Sequence, residues 1–172
     1  IVVMPEGAPI YKIQATRSYG AEVVLYGPTF DECNAYAIQL AEEKKAVFIP
    51  PFNDPEVIAG QGTIGLEIMH DMPDCDAILV PIGGGGLIAG VATALKGVKP
   101  DIEVIGAQAE MFDAVLANRE KRAGPVGGAT LAEGIAVKEP SKANMKIIEK
   151  LVDHIYSATE ATVSIQIPWL ES

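Results

Sequence analysis

Four consecutive glycines, Gly83 to Gly86, are the residues whose type and spacing point most directly to chemistry. They follow the apolar run from Ala77 to Ile82 and precede a helix-like run that begins at Leu87. Glycines let a backbone approach a ligand closely. The first N–H groups of a helix lack intrahelical partners, and the helix dipole favours an anion beside them. A strand, a glycine loop and a helix start in this order therefore suit a phosphate group.

The residues alone leave three interpretations of this glycine loop open. The first is a tight turn that binds nothing, although one or two glycines would suffice for such a turn. The second is a nucleotide site, but the sequence lacks the Lys-Ser/Thr pair of a P-loop, and its glycine spacing differs from the dinucleotide fingerprint. The third is a small-molecule phosphate held by backbone amides. It fits best, because no Lys or Arg lies close in sequence.

Other residues that could take part in catalysis or metal binding give weaker evidence of a site. His70 and His154 have no local context, so we expect surface or helix-end histidines. Asp71, Asp74 and Asp76 cluster near a predicted helix end, where a solvated turn is favoured over a metal site.

Two further features have both a structural and a functional interpretation. Cys33 and Cys75 lack metal-type spacing and are expected to be free thiols in a reducing cytosol. The segment from Leu131 to Ala136 follows the loop predicted for 122–130, and it is either a turn into the next element or part of a site. No Ser/His/Asp or Cys/His arrangement can be argued from the residues.

Composition limits the class of protein. The chain has 172 residues, 49% of them apolar, which is enough for a packed core. Its formal net charge of -10, without a cluster of Lys and Arg, argues against a nucleic-acid partner. No apolar run approaches the length of a membrane span, so we expect no membrane partner.

Short apolar runs alternate with helix-like segments along the chain. Strands are predicted over 1–4, 22–26, 46–49, 77–82, 103–107 and 154–157, and helices over 8–19, 29–45, 54–70, 87–95, 113–121 and 141–153. This alternation predicts an α/β fold with doubly wound parallel sheets, in which ligands lie at the carboxyl ends of the strands. The glycine loop is at such an end.

Several segments together resemble one family. They are Met4–Glu6, Tyr19–Val23, Asn53–Glu67, Pro81–Gly90 and Leu131–Val137. In this order they are similar to the central part of the threonine and serine dehydratases, which are pyridoxal-phosphate enzymes of the tryptophan-synthase-β class. The resemblance runs to about position 160 and favours threonine dehydratase, with serine racemase as an alternative.

This resemblance implies a cofactor, a reaction and a set of binding residues. Pyridoxal 5'-phosphate would act on a small amino-acid substrate, whose Cα proton and β-hydroxyl leave to give ammonia and a 2-oxo acid. Such a lyase belongs to amino-acid metabolism, for example isoleucine biosynthesis, in the cytoplasm. Backbone N–H groups would hold the cofactor phosphate, and a later segment would lie beside its ring. The implied cofactor-binding residues are Gly83, Gly84, Gly85, Gly86, Leu87, Glu133 and Gly134.

Departures from the family pattern matter as much as the matches. The family's Schiff-base lysine lies in a Ser-x-Lys-x-Arg-Gly type segment, and none of the ten lysines here has that context. The Ser-Gly-Asn-His loop and the later serine segment are also absent. The resemblance therefore implies a central piece of a longer enzyme, with no catalytic residue and no activity alone. The alternative is a catalytically inactive fragment that binds pyridoxal phosphate or another anion.

The resemblance also bears on metal binding and assembly. Some relatives bind a divalent cation at a position that is Gln108 here, followed by Phe112 and Ala114, so we expect no metal. Residues 1–46 would belong to a small α/β domain and 47–172 to a large cofactor domain. Both sheets would be incomplete, so we expect a homo-oligomer or a complementing chain segment to cover them. The tail from position 162 to 172 leaves the family pattern and could be a strand, an added remnant or altered sequence.

Overall fold

The computed structural model describes residues 1–166, and the chain divides into two compact units, Ile1–Ile49 and Pro50–Ser172. The strands are β1 (Val2–Met4), β2 (Val23–Leu25), β3 (Ala77–Pro81), β4 (Glu103–Ala109) and β5 (His154–Ala158). The helices are α1 (Ile10–Ser18), α2 (Phe30–Lys44), α3 (Pro55–Asp71), α4 (Gly86–Val98), α5 (Ala114–Arg119), α6 (Lys142–Leu151) and α7 (Glu160–Gln166). The predicted α/β alternation is confirmed.

The first unit is a two-stranded parallel sheet with two helices. Strands β1 and β2 pair in register from Val2 opposite Val23. Helix α2 begins with a reciprocal cap, in which the Thr29 hydroxyl accepts from the Glu32 N–H and the Glu32 carboxylate accepts from the Thr29 N–H. Cys33 is the one buried residue of α2.

The predicted strand over residues 46–49 is wrong. These residues form no regular element, and the side chains of Val47 and Ile49 are 88% and 72% exposed. A short apolar run becomes a strand only when a neighbouring strand pairs with its backbone. The two-stranded sheet of the first unit ends at β1 and β2, and supplies no such neighbour.

The second unit contains a parallel sheet in the order β3-β4-β5. Its core lies on one side of the sheet, where Val80, Val104 and Ile155 pack with residues of α4 and α6. The remaining core residues are Ile82, Ile88, Val91, Ala92, Leu95, Ile102, Val115, Met145, Ile148 and Val152. The sheet and these helices fix the start of α4, and therefore the glycine loop.

The opposite face of this sheet is open within the described unit. Leu79 is 65% exposed and Tyr156 is 60% exposed, on strands that both pair with β4. Parallel sheets are ordinarily covered on both faces. The described part of the second unit therefore leaves an apolar sheet face without cover.

The start of the predicted tail is helical. Residues 162–166 belong to α7, so a strand is excluded there. The remainder of that prediction, residues 167–172, lies outside the described residues.

Candidate functional site

The glycine loop follows β3 and leads directly into α4. Strand β3 ends at Pro81, the Ile82 N–H donates to the Ala107 carbonyl at 2.7 Å, and α4 begins at Gly86. The loop is therefore at the carboxyl end of β3 and beside β4, where open parallel sheets bind ligands.

Close packing accounts for the glycines of this loop. A β-carbon on Gly84 would overlap the Phe52 ring, and one on Gly86 would lie 2.5 Å from the Phe52 carbonyl oxygen. A β-carbon on Gly83 would lie 3.0 Å from the Ile135 Cα. Gly85 has a φ of +88°, which disfavours other residues. The turn therefore needs more than the one or two glycines expected, and their number alone does not indicate a ligand.

The unpaired backbone N–H groups are a stronger indication. Within residues 1–166, the N–H groups of Gly83, Gly84 and Gly85 have no hydrogen-bond acceptor, although Gly84 and Gly85 are buried. Gly85 caps α4 without a side chain, so the N–H groups of Gly86 and Leu87 in the first turn also lack intrahelical acceptors. Buried N–H donors without partners are rare in proteins. A phosphate bound here would satisfy them.

Asn144 of α6 holds the glycine loop by a hydrogen bond to its backbone. Its side chain is fully buried, and its Nδ2 donates to the Gly84 carbonyl at 2.9 Å and to the Phe52 carbonyl at 2.7 Å. Asn144 and Phe52 were not predicted as site residues. A lone polar residue in the first turn of an amphipathic helix gives little signal by itself.

The segment that contains Glu133 and Gly134 lies beside the glycine loop. Residues Glu133–Ile135 form a 3₁₀ turn, and the Gly83 backbone is close to Ile135 and to the Val137 side chain. Glu133 and Gly134 are exposed. The structure thus brings together two segments that are about fifty residues apart in sequence and were predicted as one site.

Glu160 at the start of α7 holds the beginning of this segment. Its carboxylate accepts from the Leu131 N–H at 2.9 Å. Hydrogen bonds from the Thr130 hydroxyl and the Leu131 amide lower the pKa of Glu160, because they favour the charged form. Thr130 also accepts from the Ala132 N–H at 3.1 Å.

Gln108, the position considered for a metal ligand, has a structural role. Its buried side chain donates from Nε2 to the Phe112 carbonyl at 3.2 Å and to the Ile82 carbonyl at 3.4 Å, and Oε1 accepts from the Leu116 N–H at 2.9 Å. The amide therefore ties β4 to the loop before α5. Over residues 1–166, no group of three or more His, Cys, Asp or Glu side chains is arranged to hold a metal ion.

An ion pair links α4 to the residue that precedes β5. The Asp153 carboxylate accepts from Lys96 Nζ at 2.8 Å and from the Val104 N–H at 2.8 Å. Partial burial raises the pKa of this carboxyl, but the Lys96 hydrogen bond, the Val104 N–H and the Lys96 charge outweigh burial, so the pKa is lowered.

A separate open cavity of about 550 Å³ lies between α5, α6 and the 122–125 loop. Its lining includes Arg122, Lys138, Lys142 and Lys146, but none of the glycine-loop residues. The cavity therefore does not belong to the candidate phosphate site. None of the helices described in residues 1–166 is long and apolar enough to cross a membrane.

The sequence and the fold both match known proteins. The chain is 48% identical over 171 residues to the L-threonine ammonia-lyase of Thermotoga maritima, covering 98% of this chain and 43% of that protein. It is 48% identical over 162 residues to the catabolic L-threonine dehydratase of Escherichia coli (strain K12), covering 92% of this chain and 49% of that protein. The chain thus spans less than half the length of these relatives.

A solved structure has the same fold. Maize serine racemase superimposes with a TM-score of 0.89 at 27% identity, over 98% of this chain and 51% of that one. The model of the family "pyridoxal-phosphate dependent enzyme" matches residues 1–171, a match that includes the tail expected to leave the family pattern. With this match over nearly its whole length, the chain belongs to the pyridoxal-phosphate dependent enzymes of the tryptophan-synthase-β-like fold.

Proposed function

We propose that this chain carries the phosphate-binding part of a threonine ammonia-lyase. The observation that carries the proposal is the set of unpaired N–H groups at Gly83–Leu87, at the start of α4. The 48% identity to threonine ammonia-lyases supports threonine as the substrate of the whole enzyme.

The chain's own residues would hold the cofactor by its phosphate. The N–H groups of Gly83, Gly84, Gly85, Gly86 and Leu87 would donate to the phosphate oxygens. These donors are backbone groups at a helix start, so the site needs no Lys or Arg to attract a dianion. The exposed Glu133 and Gly134 would lie beside the cofactor ring, because their segment packs against Gly83 through Ile135.

The cofactor supplies the electronic part of the reaction. Pyridoxal phosphate, when bound, withdraws electrons from the substrate's α-carbon. The protein's task is then to orient the cofactor and to move protons. No lysine of this chain stands in the Ser-x-Lys-x-Arg-Gly context of the family's catalytic lysine. We therefore propose that the chain alone holds the phosphate but releases no ammonia from threonine.

A spectroscopic and chemical experiment tests both parts of this proposal. The pure chain is titrated with pyridoxal phosphate in the visible range, reduced with borohydride, digested and mapped by mass spectrometry. We expect saturable cofactor retention without one specifically modified lysine. Ammonia and 2-oxobutanoate are assayed with threonine in parallel, and we expect neither.

Each contrary outcome has a definite meaning. One uniquely modified lysine, or release of 2-oxobutanoate, would contradict the proposed inactivity. The absence of any cofactor binding would contradict the phosphate site. Retention of the cofactor without chemistry also matches the alternative of an inactive anion-binding fragment, and inorganic phosphate competing equally well would favour that alternative.

Serine racemase is the less favoured enzyme class. Its maize member has the same fold, but at 27% identity, against 48% for the threonine enzymes. Serine is tested as a second substrate with the whole enzyme. A role in isoleucine biosynthesis stays a proposal, because the E. coli relative is by name a catabolic enzyme. The two free cysteines, Cys33 and Cys75, agree with a cytoplasmic location, which we also propose.

We propose that a second copy or a complementing chain segment covers the open sheet face. Leu79 and Tyr156 are both more than half exposed on that face, and exposed apolar patches commonly mark contact surfaces. Light scattering after gel filtration measures the mass of the particle. A monomer that stays soluble at high concentration would contradict the second copy and leave the complementing segment as the proposed cover. The division into parts of a small and a large family domain, 1–46 and 47–172, also stays a prediction.

A further inference from the structure

Asn144 is a buried polar residue in an otherwise apolar contact between α6 and the glycine loop. It is fully buried, beside the core residues Met145 and Ile148. Its side-chain amide reaches two carbonyl oxygens, those of Phe52 and Gly84, which are 92 and 60 residues away in sequence. One side chain thus fixes two chain segments against a third.

The two carbonyls determine the orientation of this amide. Both oxygens lie within 2.9 Å of Nδ2, so the NH₂ end must face them, because a carbonyl oxygen can only accept. The other end, Oδ1, is buried without a hydrogen-bond partner among the described residues. A buried acceptor without a partner is unfavourable. The two hydrogen bonds that Nδ2 donates must therefore have a role that an apolar side chain of similar size could not fill.

The peptide geometry of the loop indicates what they provide. In a trans peptide the C=O of one residue and the N–H of the next point in opposite directions, and the chain contains no cis peptide bonds among the described residues. Because Asn144 holds the Gly84 carbonyl, the Gly85 N–H points away from Asn144. That N–H belongs to a buried residue and has no acceptor within residues 1–166.

We propose that Asn144 is a positioning residue for the cofactor phosphate, which fixes the Gly84–Gly85 peptide so that the Gly85 N–H is presented to the anion. This inference rests on the proposed phosphate site. Without the amide, the peptide would be free to rotate and turn the Gly84 carbonyl toward the phosphate, where it would repel the anion. Asn144 acts through the loop and does not touch the phosphate itself.

The test measures anion affinity at the loop directly. Inorganic phosphate, and separately pyridoxal phosphate, is titrated into the full chain while the backbone amide resonances of Gly83–Leu87 are followed by NMR. For Asn144→Leu we expect the dissociation constant to rise about tenfold, as expected for loss of one well-oriented hydrogen bond. The Gly85 resonance should lose most of its phosphate-dependent shift.

Two comparison variants separate positioning from loss of stability. Val152→Ala shortens a buried side chain of the same core and should change the phosphate dissociation constant less than about twofold. Asn144→Asp keeps the size of the side chain but opposes two carbonyl oxygens with a carboxylate. We expect it to weaken phosphate binding at least as much as Asn144→Leu, and it provides the comparison if the leucine variant does not fold.

The outcomes distinguish this inference from the proposed site. If the unchanged chain shows no saturable shift with either anion, the phosphate site itself fails. If the unchanged chain binds, but a folded Asn144 variant binds equally well with the same Gly85 shift, the positioning role fails and the site stands. An equal loss in Val152→Ala would likewise overturn it, because the effect would then follow stability alone.

Discussion

Gly90 of α4 lies so close to the carbonyl oxygen of Ile58 in α3 that a β-carbon at position 90 would overlap it. In the same contact, a β-carbon added to Gly62 of α3 would lie 3.1 Å from the Gly90 carbonyl oxygen. The two helices therefore pack backbone against backbone. Because α4 begins in the glycine loop, this contact also fixes the position of the loop.

The first prediction concerns this helix contact. Gly90→Ala should lower the free energy of unfolding by about 3 kcal/mol, because the added methyl must separate α3 from α4. Gly97→Ala, in the same helix with open space around it, should raise the free energy of unfolding by up to about 1 kcal/mol. Urea denaturation followed by circular dichroism compares the two, and equal effects would contradict the proposed close packing.

The second prediction concerns the phosphate site. Gly84→Asp should weaken pyridoxal phosphate binding by at least about tenfold, because the side chain collides with Phe52 and brings a negative charge to the loop. Gly60→Asp adds the same charge at an exposed helix position with open space, and should leave the affinity unchanged. If Gly84→Asp bound the cofactor normally in the same titration, the phosphate assignment would be wrong.

The third prediction concerns the buried amide of Gln108. Gln108→Leu should cost about 2 kcal/mol of unfolding free energy, because the Phe112 carbonyl and the Leu116 N–H lose their partner. Gln39→Leu, at an exposed amide, should stay within about 0.5 kcal/mol of the unchanged chain. Thermal melts measure both. A neutral Gln108→Leu would mean that the loop before α5 does not depend on this side chain.

The fourth prediction is a pH dependence at Asp153. Its folded-state pKa is lowered, so its stabilising effect is complete above the unfolded pKa of about 3.9 and is lost as the pH falls through the folded value. Near pH 7, Asp153→Asn should therefore be less stable than the unchanged chain by about 1 kcal/mol. The gap should narrow as the pH falls below about 4 and close once the pH has passed below the lowered folded-state pKa.

The control for this prediction is Asp76→Asn. Asp76 also pairs with a lysine, Lys99, but its side chain is 96% exposed, so the substitution should have little effect at any pH. Melting temperatures of the three proteins are measured at each pH. A gap for Asp153→Asn that persists unchanged at pH 2 would show that the carboxylate charge is not the source of the stability.

Local patterns in the sequence predicted the second unit well. The apolar runs of β3, β4 and β5 each combine a strong local preference for a strand with a neighbouring strand that pairs with it. The run over 46–49 has the same composition but no partner strand. Composition describes what a segment prefers, whereas pairing depends on what lies next to it.

The site was only partly predictable for the same reason. Four consecutive glycines predict the glycine loop directly, and the segment near Glu133 was predicted from the family resemblance. Asn144 contacts Gly84 and Phe52, which lie 60 and 92 residues before it in the sequence. No local sequence pattern predicts contacts over such separations. Three of the four glycines are also explained by the close approach of Phe52 or Ile135, which only the folded structure reveals.

The hydrogen bond between Asn144 and Gly84 determines when the glycine loop can reach its final conformation during synthesis. Gly84 leaves the ribosome 60 residues before its partner, so the loop emerges long before it can take its final shape. A nascent chain that ends before α6 would contain every glycine of the loop and still lack the geometry that we propose for the anion. The cofactor would then be captured only after α6 has been made.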